Sequence, residues 1–334
     1  MIKVIVDTLG GDNSPEANIE GAKTALKNIR DLEVVLVGDE KVIGEKISDF
    51  SEKDRISVVH AADVISCNDK PTEAIRTKKD SSMYKCFEIL KTDDSANAMV
   101  STGSTGALLA GAMLKLGRIK GVKRPAFCPV LPTMNGKVVG LCDSGANVDC
   151  DSLYLKQFAL MGSLYLKAAY GIENPKVALL NVGVEEEKGD ELRKETFALL
   201  KSCDKINFCG NMEARDLLKG DFDLVVCDGF SGNVLLKSTE GACMEVLKLL
   251  KNTFRKNLKT KLCALFLKKD VYAIKDTMDY NNYGGAVLLG AAKTVVKGHG
   301  SSKALSVYRC IEQAYNMEKK GLRKSISEIV TDVE

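Results

Sequence analysis

The sequence predicts an α/β protein: a three-layer body with a largely parallel sheet and helices on both faces. Three observations point there. Short β-branched runs alternate with helical periodicity from one end nearly to the other. The intervening segments carry apolar residues at helical spacing, as at Ile19, Ala22, Leu26 and Ile29. With six prolines and no long Ser/Gly tract, no linker divides the 334 residues. The chain is therefore expected to form one α/β domain over 1–334, and strand–helix alternation on that scale places ligands at the carboxyl ends of the strands.

Taken in order, the expected strands are "KVIVD", "EVVLVG", "ISVVHA", "NAMVS", "KVVGLC", "KVALLNVG", "INFCG" and "DLVVCDG". The last third changes character. From "GNVLLKSTEG" to "KKDVYAI" no proline occurs, which predicts one or two long helices and a helical excursion at about 245–282. Leu258, Leu262, Leu265 and Phe266 share a face there, with Arg255, Lys256, Lys259, Lys261, Lys268 and Lys269 around it. Such a helix packs on the body or in a dimer, or else lies on anionic lipid or receives an acidic partner.

Composition narrows the function classes. Hydrophobic residues at 45% and charged residues at 28% are those of a soluble globular chain. Lys plus Arg exceeds Asp plus Glu only by 48 to 45, so no nucleic-acid partner is expected. Eleven cysteines form no C-x-x-C pair and have no His at metal-ligand spacing; they read as small buried hydrophobes of a reducing cytoplasm. The N-terminus reads as a strand rather than a signal peptide, and no apolar run approaches a membrane span, so a cytoplasmic location is expected.

Three bends carry the candidate chemistry. In "VDTLGGDNSPEANIEGA" a strand ends at Asp7, Gly10 and Gly11 loosen the backbone, and Ser14 and Pro15 suit the N-cap and first position of a helix. "VSTGSTGALLAGA" repeats the pattern with Ser101, Thr102, Gly103, Ser104, Thr105 and Gly106. "CDGFSGNVLLK" does so with Asp228, Gly229, Ser231, Gly232 and Asn233. Three hydroxyl- and glycine-rich bends suggest a composite anion or phosphoester site, against the plainer reading of tight turns. Neither G-x-x-x-x-G-K-[ST] nor an intact G-x-G-x-x-G after a strand is present, which argues against a P-loop or dinucleotide site. No G-x-S-x-G elbow occurs either.

Other polar groups have weaker signals. Arg76, in "PTEAIRTKKDSSM", either starts a solvated helix or clamps a phosphate. Asp143, Asn147, Asp149 and Asp151 cluster around Gly145, but their spacing fits no EF-hand and no His is near, so no metal or cofactor is expected. Glu185, Glu186 and Lys188 occupy another strand end. Of the two histidines, His60 reads as structural and His299, in "KGHGSS", as the better site residue.

These stretches, together with "DSGANVDCDSLYLKQFALMGSLY", "NVGVEEEKGDE" and "YGGAVLLGA", occur in the order seen in the bacterial phosphate acyltransferases of phospholipid synthesis, the PlsX family. The chain resembles that family from Ile2 to about Gln313. The resemblance implies an isocitrate dehydrogenase/phosphotransacetylase-like fold and a homodimer peripherally associated with the membrane. It implies conversion of acyl-acyl carrier protein and inorganic phosphate to acyl phosphate and free carrier protein, ahead of a membrane-bound glycerol-3-phosphate acyltransferase. The family's pattern departs here at Asn13, where a histidine is common, at Ser104, and at Asp190. Asn13 is accordingly expected to hydrogen-bond.

Read with that resemblance, the candidate catalytic residues are Asp12, Asn13, Lys188 and His299. Gly10 to Ser14 and Ser101 to Gly106 are expected to cradle phosphate and the oxyanion, with Arg76 or Lys188 balancing charge and Asp228, Ser231 and Asn233 contributing from the third bend. Leu258, Lys259, Leu262, Leu265 and Phe266 are expected to meet the carrier protein or the membrane. The rivals are a phosphotransacetylase using coenzyme A thioesters, a decarboxylating dehydrogenase, and a non-catalytic membrane scaffold that binds carrier protein.

Overall fold

Val4 and Val6 point to one side of the first strand and Ile5 to the other, and all three are fully buried. That two-sided burial is the mark of a strand inside a layered sheet. The computed structural model describes residues 1–277 and 280–331, except for the side chains of 268, 270–277, 280 and 281.

Among the described residues, twelve strands form two sheets. They are β1 (Ile2–Asp7), β2 (Leu32–Gly38), β3 (Ile56–His60), β4 (Ala96–Ser101), β5 (Ala126–Cys128), β6 (Val130–Pro132), β7 (Val138–Cys142), β8 (Lys176–Asn181), β9 (Asn207–Glu213), β10 (Leu224–Val226), β11 (Ala286–Leu289) and β12 (Thr294–Lys297). The first sheet runs β3-β2-β1-β4-β12-β11-β5 and the second β6-β7-β10-β8-β9. Pairing is parallel except at β11–β12, β11–β5 and β6–β7.

The helices are α1 (Glu16–Asn28), α2 (Glu40–Ile47), α3 (Pro71–Thr77), α4 (Ser82–Thr92), α5 (Thr105–Gly111), α6 (Ser152–Tyr170), α7 (Glu191–Lys201), α8 (Gly229–Arg255), α9 (Leu258–Thr277), α10 (Ala304–Lys319) and α11 (Leu322–Thr331). Apolar residues of α1 and α10 cover the Val4/Val6 face of the first sheet, and those of α3, α4 and α5 cover the Ile5 face. Each large aliphatic side chain buried this way contributes about 1.5–3 kcal/mol. The layered, mostly parallel α/β architecture is the one expected from the sequence, though as two sheets rather than one.

Four strands escaped the sequence reading: β5, β6, β11 and β12. They span three or four residues each, and prolines or glycines flank them (Pro125, Pro129, Gly284, Gly285, Gly290), so no periodicity could accumulate. The long C-terminal helix starts at Gly229, three residues before the "GNVLLKSTEG" at which the sequence reading begins it, because α8 grows directly out of the third bend. Its first turns are held by the buried Gly229 and Gly232, and Leu235 and Leu236 pack on the core of the second sheet.

Beyond that point the described side chains of α8 and α9 are largely exposed. Leu258 is 75% accessible and Phe266 87%, with Leu262, Leu265, Val246 and Leu249 also open. The side chain of Lys268 and residues Met278 and Asp279, which the sequence reading included, lie outside the described residues.

Two smaller expectations are corrected. Ser14 does not cap α1; its hydroxyl donates to the carbonyls of Leu9 and Gly11 at 3.0 and 2.8 Å, and Pro15 occupies the N-cap position. The turn consumes the hydroxyl before the helix can use it. Nor are the cysteines uniformly buried: all eleven are free thiols, and Cys67, Cys209 and Cys263 are exposed.

Candidate active site

A buried carboxyl group organises the first bend. Asp7, at the end of β1, accepts the hydroxyls of Ser82 and Ser101, both at 2.6 Å, and the amides of Leu9 and Gly10 at 3.3 and 3.2 Å. It thereby joins β1, α4, the end of β4 and the glycine turn. Asn18 adds three bonds from its amide to the carbonyls of Asp7, Thr8 and Gly10, and the Thr102 hydroxyl donates to Gly10 at 2.6 Å. Gly10 is needed because the backbones touch: a Cβ there would lie 2.7 Å from the Gly103 nitrogen.

The first bend is also tied to the loop after β12. The Asn13 amide donates to the carbonyls of Ser301 and Ser302 at 3.0 and 3.1 Å, and the Asp12 amide donates to Gly300 at 2.8 Å. Asn13 thus acts as a clamp on the loop that carries His299. In that loop the Ser301 amide donates to His299 Nδ1 at 3.2 Å, which puts the proton of a neutral imidazole on Nε2. Burial, reinforced by the Lys237 charge, lowers the His299 pKa and keeps the ring neutral.

A second buried aspartate organises the other sheet. Asp143, just past β7, accepts the amides of Phe127 at 2.9 Å and Asn147 at 2.7 Å, a longer bond from Ala146, and the Asn147 side chain at 2.9 Å. Burial nevertheless raises its carboxyl to about 6. The third bend packs against it so closely that a Cβ on Gly232 would sit 1.9 Å from the Asp143 carbonyl oxygen. Asp228 caps α8 through Ser231, at 2.8 Å, and is paired with Arg193, which also reaches Asp190 at 2.9 Å.

Between these two networks lies a cavity of about 140 Å³. Thr105 enters it from the second bend, Ser144 from the Asp143 turn, Asn233 from the third bend, and Lys297 and His299 from the end of β12. Phe127, Pro129, Val130, Leu131 and Leu236 make an apolar wall. Glycine-rich bends from both sheets therefore face one space.

Not every expected residue reaches it. Gly10, Gly11, Asp12, Asn13, Ser14, Ser101, Thr102, Gly103, Ser104, Asp228 and Ser231 build the supporting networks rather than line this cavity, and Gly106 packs against Pro71. Arg76 is exposed on α3, and Lys188 is exposed in the loop between β8 and α7. The cluster at Asp143 is no carboxylate cage: Asp149 is exposed, and Asp151 caps α6 at 3.0 Å from the Tyr154 amide. Among the described residues, no group of three His, Cys, Asp or Glu is placed to hold a metal ion.

Lys297 is what sequence reasoning missed. It ends "TVVK" immediately before the Gly-His-Gly turn, and a lysine closing a β-branched run was the available signal. It is 9% exposed, and burial lowers its pKa to about 8. Nearby thiols are poor nucleophiles, since burial pushes Cys150 and Cys310 up to about 12.

In its fold the chain is similar to solved phosphotransacetylases. The fold is similar to a phosphotransacetylase from Streptococcus pyogenes, with a TM-score of 0.63 and 17% identity over 95% of this chain and 94% of that one. A second likeness, TM-score 0.58 at 16% identity over 94% of each chain, is to the EutD phosphotransacetylase from Staphylococcus aureus. The sequence is more specific: residues 2–325 match the model of the family described as fatty acid synthesis protein. Curated relatives named phosphate acyltransferase include one from Thermoanaerobacter pseudethanolicus, 46% identical over 98% of this chain and 97% of that one, and one from Clostridioides difficile, 40% identical over 99% and 96%. The chain belongs to this phosphate acyltransferase (PlsX) family and is an acyltransferase enzyme.

Proposed function

We propose that the enzyme transfers a fatty acyl group from the thioester of acyl-acyl carrier protein to inorganic phosphate, releasing acyl phosphate and free carrier protein for phospholipid synthesis. The observation that carries this reading is the cleft that both sheets line, where polar and cationic groups meet an apolar wall. A phosphate oxygen attacks the thioester carbonyl carbon, an oxyanion forms, the C–S bond breaks, and the thiolate takes a proton from solvent. Phosphate is already anionic and a thiolate leaves readily, so placement and oxyanion stabilisation are the main demands. Hydroxyls of Thr105 and Ser144, the amide of Asn233 and the Nε2 proton of His299 are the groups at hand. The bends around Asp7 and Asp143 hold them in place.

The exposed apolar stripe and lysines of α8 and α9 support a role in contacting acidic carrier protein, a second copy of the chain, or the anionic inner face of the membrane. No helix of the described residues is long and apolar enough to cross a bilayer. Changing Leu258→Glu together with Leu262→Glu is expected to abolish flotation with anionic vesicles while altering stability by less than about 0.5 kcal/mol, since both sites are exposed. Large destabilisation would instead mean that the stripe packs within the protein.

The reaction itself is tested by incubating the protein with long-chain acyl-acyl carrier protein and inorganic phosphate, following free carrier protein and trapping acyl phosphate as a hydroxamate. Phosphate-dependent production of both supports the reading. Turnover of acyl-coenzyme A alone would favour a phosphotransacetylase, and turnover of neither a carrier-protein scaffold.

A further inference from the structure

We propose that the Lys297 ammonium is the group that holds inorganic phosphate in the cleft, a role that neither Arg76 nor Lys188 is placed to fill. The inference deepens the acyl transfer reading and rests on it for the identity of the anion.

The cations around the cleft divide by what already neutralises them. Lys237 lines it but pairs with Glu240 at 2.7 Å, and its side chain is 56% exposed. Arg193 is committed to Asp190 and Asp228. Lys297 differs from both: its Nζ meets only the carbonyls of Thr102, at 3.4 Å, and Gly298, and among the described residues no carboxylate lies within ion-pair distance. Burying an ammonium against neutral carbonyls is costly, because carbonyl dipoles replace its hydration only in part. An anion entering the cleft would supply the missing countercharge, and its lowered pKa is the signature of that deficit.

Two features make phosphate the fitting anion. Lys297 is fixed by the carbonyl of Thr102, whose own hydroxyl is bound to the first bend, so the charge is held where the first two bends meet. The Thr105 and Ser144 hydroxyls and Asn233 line the same cavity and suit the several acceptor oxygens of a tetrahedral oxyanion. A neutral thioester carbonyl would leave the ammonium uncompensated in the ground state.

Lys297→Met and Lys297→Gln test the assignment. Melting of the wild type should rise with inorganic phosphate, whether or not the acyl-carrier substrate is the true one, and this rise should vanish in both variants. Without phosphate, Lys297→Met should melt no lower than the wild type, since it removes a buried, uncompensated charge. In steady state the KM for phosphate should rise about ten-fold or more in both variants, with a much smaller change in kcat at saturating phosphate. A purely structural lysine predicts the reverse pattern: Lys297→Met would melt well below the wild type, while Lys297→Gln, which keeps a donor for the two carbonyls, would rescue both melting and KM. That rescue, an unchanged phosphate KM, or a wild type indifferent to phosphate would each overturn the proposal. A fall in kcat with KM unchanged would do so too, by assigning Lys297 to the oxyanion.

Discussion

The two halves of the cleft solve one problem with different donors. On the first sheet Asp7 is satisfied largely by hydroxyls, from Ser82 and Ser101, that come from distant parts of the chain. On the second, Asp143 is satisfied by the amides of Phe127, Ala146 and Asn147 and by one side chain, nearly all from its own turn. A local turn assembles with its strand, whereas the Asp7 network requires β1, α4 and β4 to be in place first. The first half is therefore the one that side-chain substitution can dismantle.

Replacing Asp7 with alanine should have the largest effect. It strands two hydroxyls and two amides in the interior, and a loss of about 3–5 kcal/mol in unfolding free energy is expected in urea denaturation. A loss near 1 kcal/mol would show that the two halves are not both organised by their aspartates.

The Asp143 half should instead reveal itself through pH. Its carboxyl titrates near 6 in the folded protein against an ordinary value of 3.8, so the stabilising form is the protonated one. That contribution is complete below about pH 4 and is lost as pH rises through 6; a separation of two units corresponds to about 2–3 kcal/mol. The wild type should thus gain stability relative to Asp143→Asn as pH falls from 7 to 4. A parallel pH dependence in the two proteins would remove this distinction.

Ser82→Ala probes the smallest difference, one hydroxyl donor in the first half, and should cost about 1 kcal/mol. Combined with Ser101→Ala it should be non-additive, since both hydroxyls serve one carboxyl group. Strict additivity in the double-mutant cycle would argue that Asp7 does not couple them.

The opening bend illustrates how much of the site could be read from residues alone. Asp7, the glycine pair and the hydroxyl-rich repeats were visible because a parallel strand must end before its helix begins, and those turns require glycine and small polar side chains. What Asp7 binds was not visible, because Ser82 and Ser101 are 75 and 94 residues away. Asn13 could be expected to hydrogen-bond, yet its partners lie 288 and 289 residues further on. Ser14 misled because its local pattern suits a cap, while the turn carbonyls compete for the same hydroxyl.

By itself the sequence determined the alternation of buried strands and amphipathic helices, the positions of the bends and the amphipathic character of the C-terminal helices, since each is set by residues close in the chain. Only the tertiary structure decided that the strands divide into two sheets, that bends from both face one cavity, and that Lys297, rather than Arg76 or Lys188, lines it. The reason is physical. Periodicity and turn chemistry act over a few residues, but the burial that sets the state of a lysine or an aspartate is a sum over neighbours from every part of the chain.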